Sequence, residues 1–151
     1  MKTIALRLKS LRDRIRAAEN RCGRPPETVT LLAVSKTRSA EEIRTARTAG
    51  QLHFGENYLQ EALVKMEALA DLDLEWHFIG PIQSNKTRDI AARFAWVHSV
   101  NRLKIAERLS AARPPELPPL NICIQVNIGA EASKSGINLD QLPELAQEIG
   151  S

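Results

Sequence analysis

The fold is decided by residues 29–57, which read VTLLAVSKTRSAEEIRTARTAGQLHFGEN. The stretch opens with an apolar run, Val29 to Val34, and closes with a second apolar segment, Gln51 to Phe54. Between them lies an amphipathic segment that ends at Gly50 and opens with Ser39 and Glu42, which have the S-x-x-E spacing of a capping box. A strand, a helix and a second strand in this order predict a βαβ unit, from which parallel sheets are built.

The same alternation of apolar runs and amphipathic stretches continues on both sides of this unit. Before it, apolar side chains recur at helical spacing from residue 3 to residue 21, which predicts an N-terminal helix. After it we predict, in order, a helix over 58–70, a strand over 74–79, a helix over 85–93, a strand over 96–100, a helix over 102–112 capped by Asn101, a strand over 121–128 and a helix from about Asp140. The chain therefore has five strand-helix units after its first helix.

Such apolar strands, with a helix in every gap, must be buried on both faces of the sheet. Two architectures meet that requirement, a closed α/β barrel of the TIM type and a doubly wound open sheet, and the pattern alone leaves both open. A TIM barrel has eight units and usually about 200 residues or more. If the fold is a barrel, the 151 residues correspond to a truncated one.

The composition is that of an ordinary globular domain, with 43% hydrophobic and 26% charged residues. A net charge of +3 arises from 21 basic and 18 acidic side chains, and no basic run is interleaved with aromatics, so we expect no nucleic-acid partner. No segment approaches the roughly 20 apolar residues of a membrane span, and the N-terminus lacks a cleavage signal, so we expect a cytoplasmic protein. Cys22 and Cys123 lie too far apart in sequence for a metal pair and are expected to be reduced, with Cys123 in a strand.

Polar residues collect where the strands end, and Lys36 is the most informative of them. In either architecture ligands bind at the carboxyl ends of the strands. Lys36 directly follows the run from Leu31 to Val34, and an ammonium that is partly desolvated there loses its proton more easily. A neutral amine can attack an aldehyde to form a Schiff base. By position alone, a solvated surface charge remains the commoner explanation for such a lysine.

Other strand-end residues have both a structural and a functional interpretation. Asn57 could hydrogen-bond a cofactor ring oxygen, cap a helix that begins at Tyr58, or do both. His77 lies in an apolar strand, where a core histidine is the default interpretation. His53, His77 and His98 occupy successive strands, yet they lack the H-x-H or H-E-x-x-H spacing of metal sites, so we predict no metal.

The strand-end segments resemble the signature blocks of the pyridoxal-phosphate (PLP) homeostasis protein family, and they occur in that family's order. The blocks are LLAVSKT at 31–37, FGENY at 54–58, WHFIGPIQSNK at 76–86, IQVNI at 124–128 and SKSGI at 133–137. The resemblance implies a fold-type III PLP protein, a (β/α)8 barrel like the N-terminal domain of alanine racemase but without that enzyme's second domain. Residues 1–151 would form a partial barrel domain of this kind.

The resemblance also implies the site and the function. The lysine that matches Lys36 holds PLP as an internal aldimine, and the asparagine that matches Asn57 lies beside the cofactor. We include His77 of the third block in the cofactor-binding set. The family is understood to bind and deliver PLP and to balance vitamin B6 and amino-acid pools without established catalysis. Its expected partners are PLP and PLP-requiring apoenzymes, and the full-length protein is expected to be monomeric.

Two other classes of function remain open at this point: a true PLP enzyme such as a racemase or lyase, and a basic nucleic-acid or protein-interaction module. Family members are expected to continue for roughly half this length again, in keeping with a full barrel. Their later strands carry the groups that grip the phosphate and face the pyridine nitrogen. We therefore expect this chain alone to bind PLP weakly or not at all, unless another chain supplies the missing part.

Overall fold

The computed structural model describes residues 3–129 and 131–150 as one parallel sheet covered by helices. The strands are β1 Ala33–Val34, β2 His53–Glu56, β3 Glu75–Phe78, β4 Trp96–Val100 and β5 Asn121–Ile124. The helices are α1 Ile4–Arg21, α2 Ala40–Thr48, α3 Leu59–Ala68, α4 Thr87–Arg93, α5 Leu103–Ala112 and α6 Leu142–Gly150, with short 3-10 turns at Ser84–Lys86 and Leu139–Gln141. This order of elements confirms the predicted succession of strand-helix units.

The strand order decides between the two architectures that the sequence left open. The five strands lie in the order β1-β2-β3-β4-β5, and every neighbouring pair is parallel. A doubly wound sheet reverses its strand order at a switch point, whereas a barrel adds each new strand on the same side. The sheet is therefore a sector of an α/β barrel.

The two faces of the sheet have different neighbours. Phe54, Trp76, Phe78 and Val97 belong to one face, which packs against the helices and forms the buried core. Alternate residues of β2, β3 and β4 point to the opposite face, which we call the inner face because it lines the interior of a barrel. His53, His77, Trp96 and His98 contact one another through their rings on this inner face.

The capping box predicted for α2 is present. The backbone N–H of Glu42 donates to the Ser39 hydroxyl, and the N–H of Ser39 donates to the Glu42 carboxylate. The N–H bond from Ser39 is the largest cause that lowers the pKa of Glu42. Gly50 follows the helix with a φ of 84°, a conformation that glycine adopts without strain. Local sequence therefore sets both ends of this helix.

Some local predictions of strand extent and helix capping are wrong. The strand predicted over residues 29–34 is reduced to Ala33–Val34, because β1 has a single neighbour and its ladder with β2 begins at Ala33. The backbone before it is held by side chains instead: Glu19 accepts from the N–H of Val29, and Gln51 donates to the carbonyl of Leu31. Asn101 does not cap α5, whose N-cap position falls on Arg102 without a side-chain hydrogen bond.

Cys22 is exposed and Cys123 is half-buried in β5, and both are free thiols, as predicted. Across residues 3–129 and 131–150, no helix combines the length and the apolar character needed to cross a membrane.

Candidate functional site

Lys36 lies in the turn that leaves β1 at the carboxyl edge of the sheet. Its side chain is exposed, so the desolvation expected from the sequence is absent from this structure. The residue comes two positions after Val34, the last residue of β1. Lys36 Nζ makes no ion pair or hydrogen bond within the described part of the chain, which leaves the amine available to react.

A buried polar cluster lies directly beneath this turn, between β2 and α3. Glu56 is 0% exposed and Lys65 is 6% exposed. Lys65 Nζ donates to Glu56 Oε1 at 2.8 Å and to the Ser35 carbonyl oxygen at 2.7 Å, and the Ser35 hydroxyl donates to Glu56 Oε1 at 2.6 Å. The residue that precedes Lys36 is thus tied to both the sheet and the helix.

Glu61 extends the cluster to the residue that follows Lys36. Its carboxylate accepts from Lys65 Nζ at 2.6 Å and from the backbone N–H of Thr37 at 2.6 Å. The hydrogen bond from Lys65 is the largest cause that lowers the pKa of Glu61. Thr37 has a φ of 63°, an uncommon conformation for a residue with a side chain, and this bond helps to hold it.

The cluster of Ser35, Glu56, Glu61 and Lys65 was not predicted from the sequence. One part of it had a sequence signal, because Glu61 and Lys65 are four residues apart and lie on the same side of α3. Glu56, the fully buried carboxylate of the cluster, lies on β2. No spacing in the sequence indicates its pairing with Lys65, which becomes visible only when α3 packs on β2.

Asn57 lies at the end of β2, and its predicted role as a helix cap is wrong. The N-cap position of α3 is Tyr58, which makes no side-chain hydrogen bond. Asn57 Oδ1 is buried and has no hydrogen-bond partner in the described chain, so this amide has unused bonding capacity. The backbone around it is crowded, since a Cβ placed on Gly80 would lie 2.1 Å from the Asn57 carbonyl oxygen. The Ser99 hydroxyl in turn donates to the Gly80 carbonyl.

His77 is buried on the inner face, and both of its ring nitrogens are engaged. Its Nδ1 lies 2.9 Å from His98 Nε2, and its Nε2 lies 3.2 Å from Glu75 Oε1. Burial, followed by the proximity of His98, lowers the pKa of His77 to about 4, so the ring is neutral near pH 7. Burial also lowers the pKa of His98. His77 pairs in register with Gly55, one residue below the end of β2.

A barrel sector with a lysine at the carboxyl end of its first strand, and polar residues at the ends of the next strands, defines an α/β-barrel ligand-binding domain. The chain belongs to the alanine racemase N-terminal domain family, whose model matches residues 6–151.

Two relatives with high sequence identity to this chain are pyridoxal phosphate homeostasis proteins. The chain is 61% identical over 149 residues to the pyridoxal phosphate homeostasis protein of Pseudomonas aeruginosa and 55% identical over 152 residues to that of Escherichia coli K12. In both cases the matched region comprises 99% of this chain and 65% of the relative. The chain therefore spans about two thirds of the length of these relatives.

Two solved structures resemble the chain closely. PipY of Synechococcus elongatus, solved with PLP bound, is 40% identical, with a TM-score of 0.75 over 96% of this chain and 65% of PipY. The structure of an unknown protein from Bifidobacterium adolescentis is 33% identical, with a TM-score of 0.88, and the match covers 98% of this chain and 64% of that protein. Both comparisons agree with the barrel sector described above.

Proposed function

We propose that the protein binds PLP through the amine of Lys36 and serves as a noncatalytic PLP carrier in vitamin B6 and amino-acid balance. The observation that carries the proposal is an unpaired lysine at the carboxyl edge of an alanine racemase-like barrel sector, held between two residues that a buried cluster ties down. The PLP-bound PipY structure and the named relatives support the same cofactor.

The residues at the carboxyl edge fit this cofactor. PLP, when bound, supplies an aldehyde that condenses with a primary amine and loses water. Lys36 offers such an amine, and Asn57 offers a buried amide whose oxygen lacks a partner in the described chain. At Gly55 an added Cβ would lie 3.2 Å from Ile79 and 3.6 Å from Leu32, so the absence of a side chain lets these two residues pack closely against β2.

Each residue then has a distinct task. Lys36 provides the nucleophile, while Ser35 and Thr37 hold the turn that carries it. Asn57 provides a hydrogen bond that orients the ring of the cofactor. His77 lies lower on the inner face, and because its ring nitrogens are engaged by protein groups, we assign it packing rather than a hydrogen bond to the cofactor.

A noncatalytic role is favoured over a racemase or lyase. Racemisation needs an acid/base group on each face of the cofactor. His77 has a pKa of about 4 and no unengaged ring nitrogen, so it is not well placed to exchange protons near pH 7. We further propose that the full-length protein is a cytoplasmic monomer that has PLP-requiring apoenzymes as partners and does not bind nucleic acid.

The test is chemical trapping. The protein, extended to the full length of its relatives, is incubated with PLP, reduced with borohydride, and digested for mass mapping of modified lysines. We expect Lys36 to be labelled first and Lys36→Ala to lose that label and the associated visible absorbance. Lys104→Ala, which removes an exposed lysine on α5, should label as the unaltered protein does. Labelling spread equally over the surface lysines, with no preference for Lys36, would overturn the assignment.

The racemase or lyase alternative is tested separately. Amino-acid racemisation and lyase activity are measured with PLP-loaded protein, with Lys36→Ala as the control. We expect no turnover above that control. Turnover that depends on Lys36 would replace the carrier function with an enzymatic one.

A further inference from the structure

We propose that His53, Glu75 and His77 form a site for a divalent cation of the zinc type on the inner face of the sheet. The proposal does not depend on PLP binding. His53 and Glu75 begin β2 and β3, whereas Lys36 and Asn57 lie beyond the opposite ends of their strands. His53 and Asn57 are four positions apart along extended chain, which corresponds to about 13 Å.

The geometry of the three donor atoms suits a tetrahedral ion. His53 Nδ1 lies 3.0 Å from Glu75 Oε1, His77 Nε2 lies 3.2 Å from the same oxygen, and the two nitrogens are 3.3 Å apart. A zinc ion with bonds of about 2.0–2.1 Å places its ligands roughly 3.3–3.4 Å from one another. The three atoms therefore need to move by only a few tenths of an ångström to bind it.

Without an ion, both rings can donate to Glu75 Oε1, which has two lone pairs, and the two nitrogens then face each other at 3.3 Å without a bond between them. With an ion between the three atoms, each nitrogen instead donates a lone pair to the metal, and the short distance between the nitrogens matches that of two ligands of one ion.

The surroundings hold the ligands in place. His53 and Glu75 are paired in the β2-β3 register, and His77 follows two residues later on the same face, so rigid backbone sets their spacing. His77 Nδ1 is bonded to His98 Nε2, and the Trp96 ring stacks on His77 with an interplanar angle of 2°. Such a second contact orients a ligating histidine and fixes which nitrogen faces the metal.

The chemistry and the exposure of the ligands favour one class of ion. Two imidazoles and one carboxylate suit zinc and its neighbours in the first transition row, whereas calcium and magnesium prefer oxygen ligands. The side chains of His53 and Glu75 are 26% and 35% exposed, and that of His77 is 7% exposed. The two more exposed ligands, His53 and Glu75, lie at the first positions of their strands, at the amino edge of the sheet.

The test is titration of untagged, chelator-treated protein with ZnCl2 by calorimetry and with CoCl2 by visible absorption. We expect one ion per chain and a cobalt spectrum of nitrogen and oxygen ligation. His53→Gln and Glu75→Gln should each weaken binding by at least about 100-fold, and His98→Gln by about 10- to 100-fold through the orientation of His77. Glu67→Gln, which alters an exposed carboxylate on α3, should bind as the unaltered protein does.

The two thiols provide the competing explanation. Zinc affinity that falls in Cys22→Ser or Cys123→Ser but survives in His53→Gln, or a cobalt spectrum with a sulfur charge-transfer band, would overturn the proposal. Absence of binding at millimolar ZnCl2 would overturn it as well. Labelling of Lys36 by PLP should be unchanged in His53→Gln, so failure at one site is distinguishable from failure at the other.

Discussion

Replacement of Lys65 by methionine tests whether the buried cluster beneath Lys36 stabilises the fold. Lys65 Nζ donates to Glu56, to Glu61 and to the Ser35 carbonyl, all at 2.6–2.8 Å. Methionine has a similar length and helix propensity but donates no hydrogen bond. The substitution leaves Glu56, which is 0% exposed and whose Oε2 already lacks a partner in the described chain, without its cationic neighbour.

The expected loss is large in relation to the stability of a domain. Removal of one partner from a buried ion pair typically costs about 3–5 kcal/mol, against a total unfolding free energy of about 5–15 kcal/mol. The unfolding free energy of a small domain falls by about 2 kcal/mol per molar urea, so the urea midpoint of unfolding of Lys65→Met should fall by roughly 2 M. The measurement is equilibrium urea unfolding followed by circular dichroism. Lys104→Met, on the exposed side of α5, should shift the midpoint by less than about 0.3 M.

A second variant separates the loss of the ion pair from a packing defect. In Glu56→Gln combined with Lys65→Met, no carboxylate is left buried without its cationic neighbour. Replacement of both partners of a buried pair is often close to neutral, so the double variant should recover most of the lost stability. The reasoning is refuted if the double variant is no more stable than Lys65→Met, or if Lys65→Met costs no more than its control.

Two further predictions concern the carboxyl edge of the sheet. Gly80→Ala should destabilise the protein by about 1–3 kcal/mol, because its Cβ would lie 2.1 Å from the carbonyl oxygen of Asn57. The control is Gly150→Ala, which adds a Cβ with nothing within 4 Å. Thermal unfolding of the two variants measures the difference, and equal midpoints would contradict the close approach. Glu61 has a pKa below 4.5, chiefly because of its bond from Lys65, so its stabilising contribution is complete above about pH 4.5 and is lost as pH falls through its lower folded-state pKa. Glu61→Gln should therefore flatten the fall of the unfolding free energy at acid pH; urea titrations at pH 3–7 test this, and parallel curves would count against it.

The order of the elements followed from the sequence because it depends on local patterns. Ser39, Glu42 and Gly50 are close along the chain, and each interacts within a few residues of itself, so the ends of α2 were predictable. Lys36 was placed at a strand end by the apolar run before it. The choice between a barrel and a doubly wound sheet needed the strand order, which no single strand-helix unit contains.

The contents of the candidate sites depend on which side chains meet across strands. Register brings His53 opposite Glu75 and seats His77 two residues further along the same face, although more than twenty positions separate His53 from Glu75 in the chain. The packing of α3 on β2 brings Lys65 to Glu56. By itself the amino-acid sequence determined the succession of strands and helices, the cap of α2 and the position of Lys36 after a strand, since short-range spacing encodes each of them. Only the tertiary structure decided which buried charges pair, which imidazoles converge and where Asn57 lies, because those contacts arise when distant segments share one sheet.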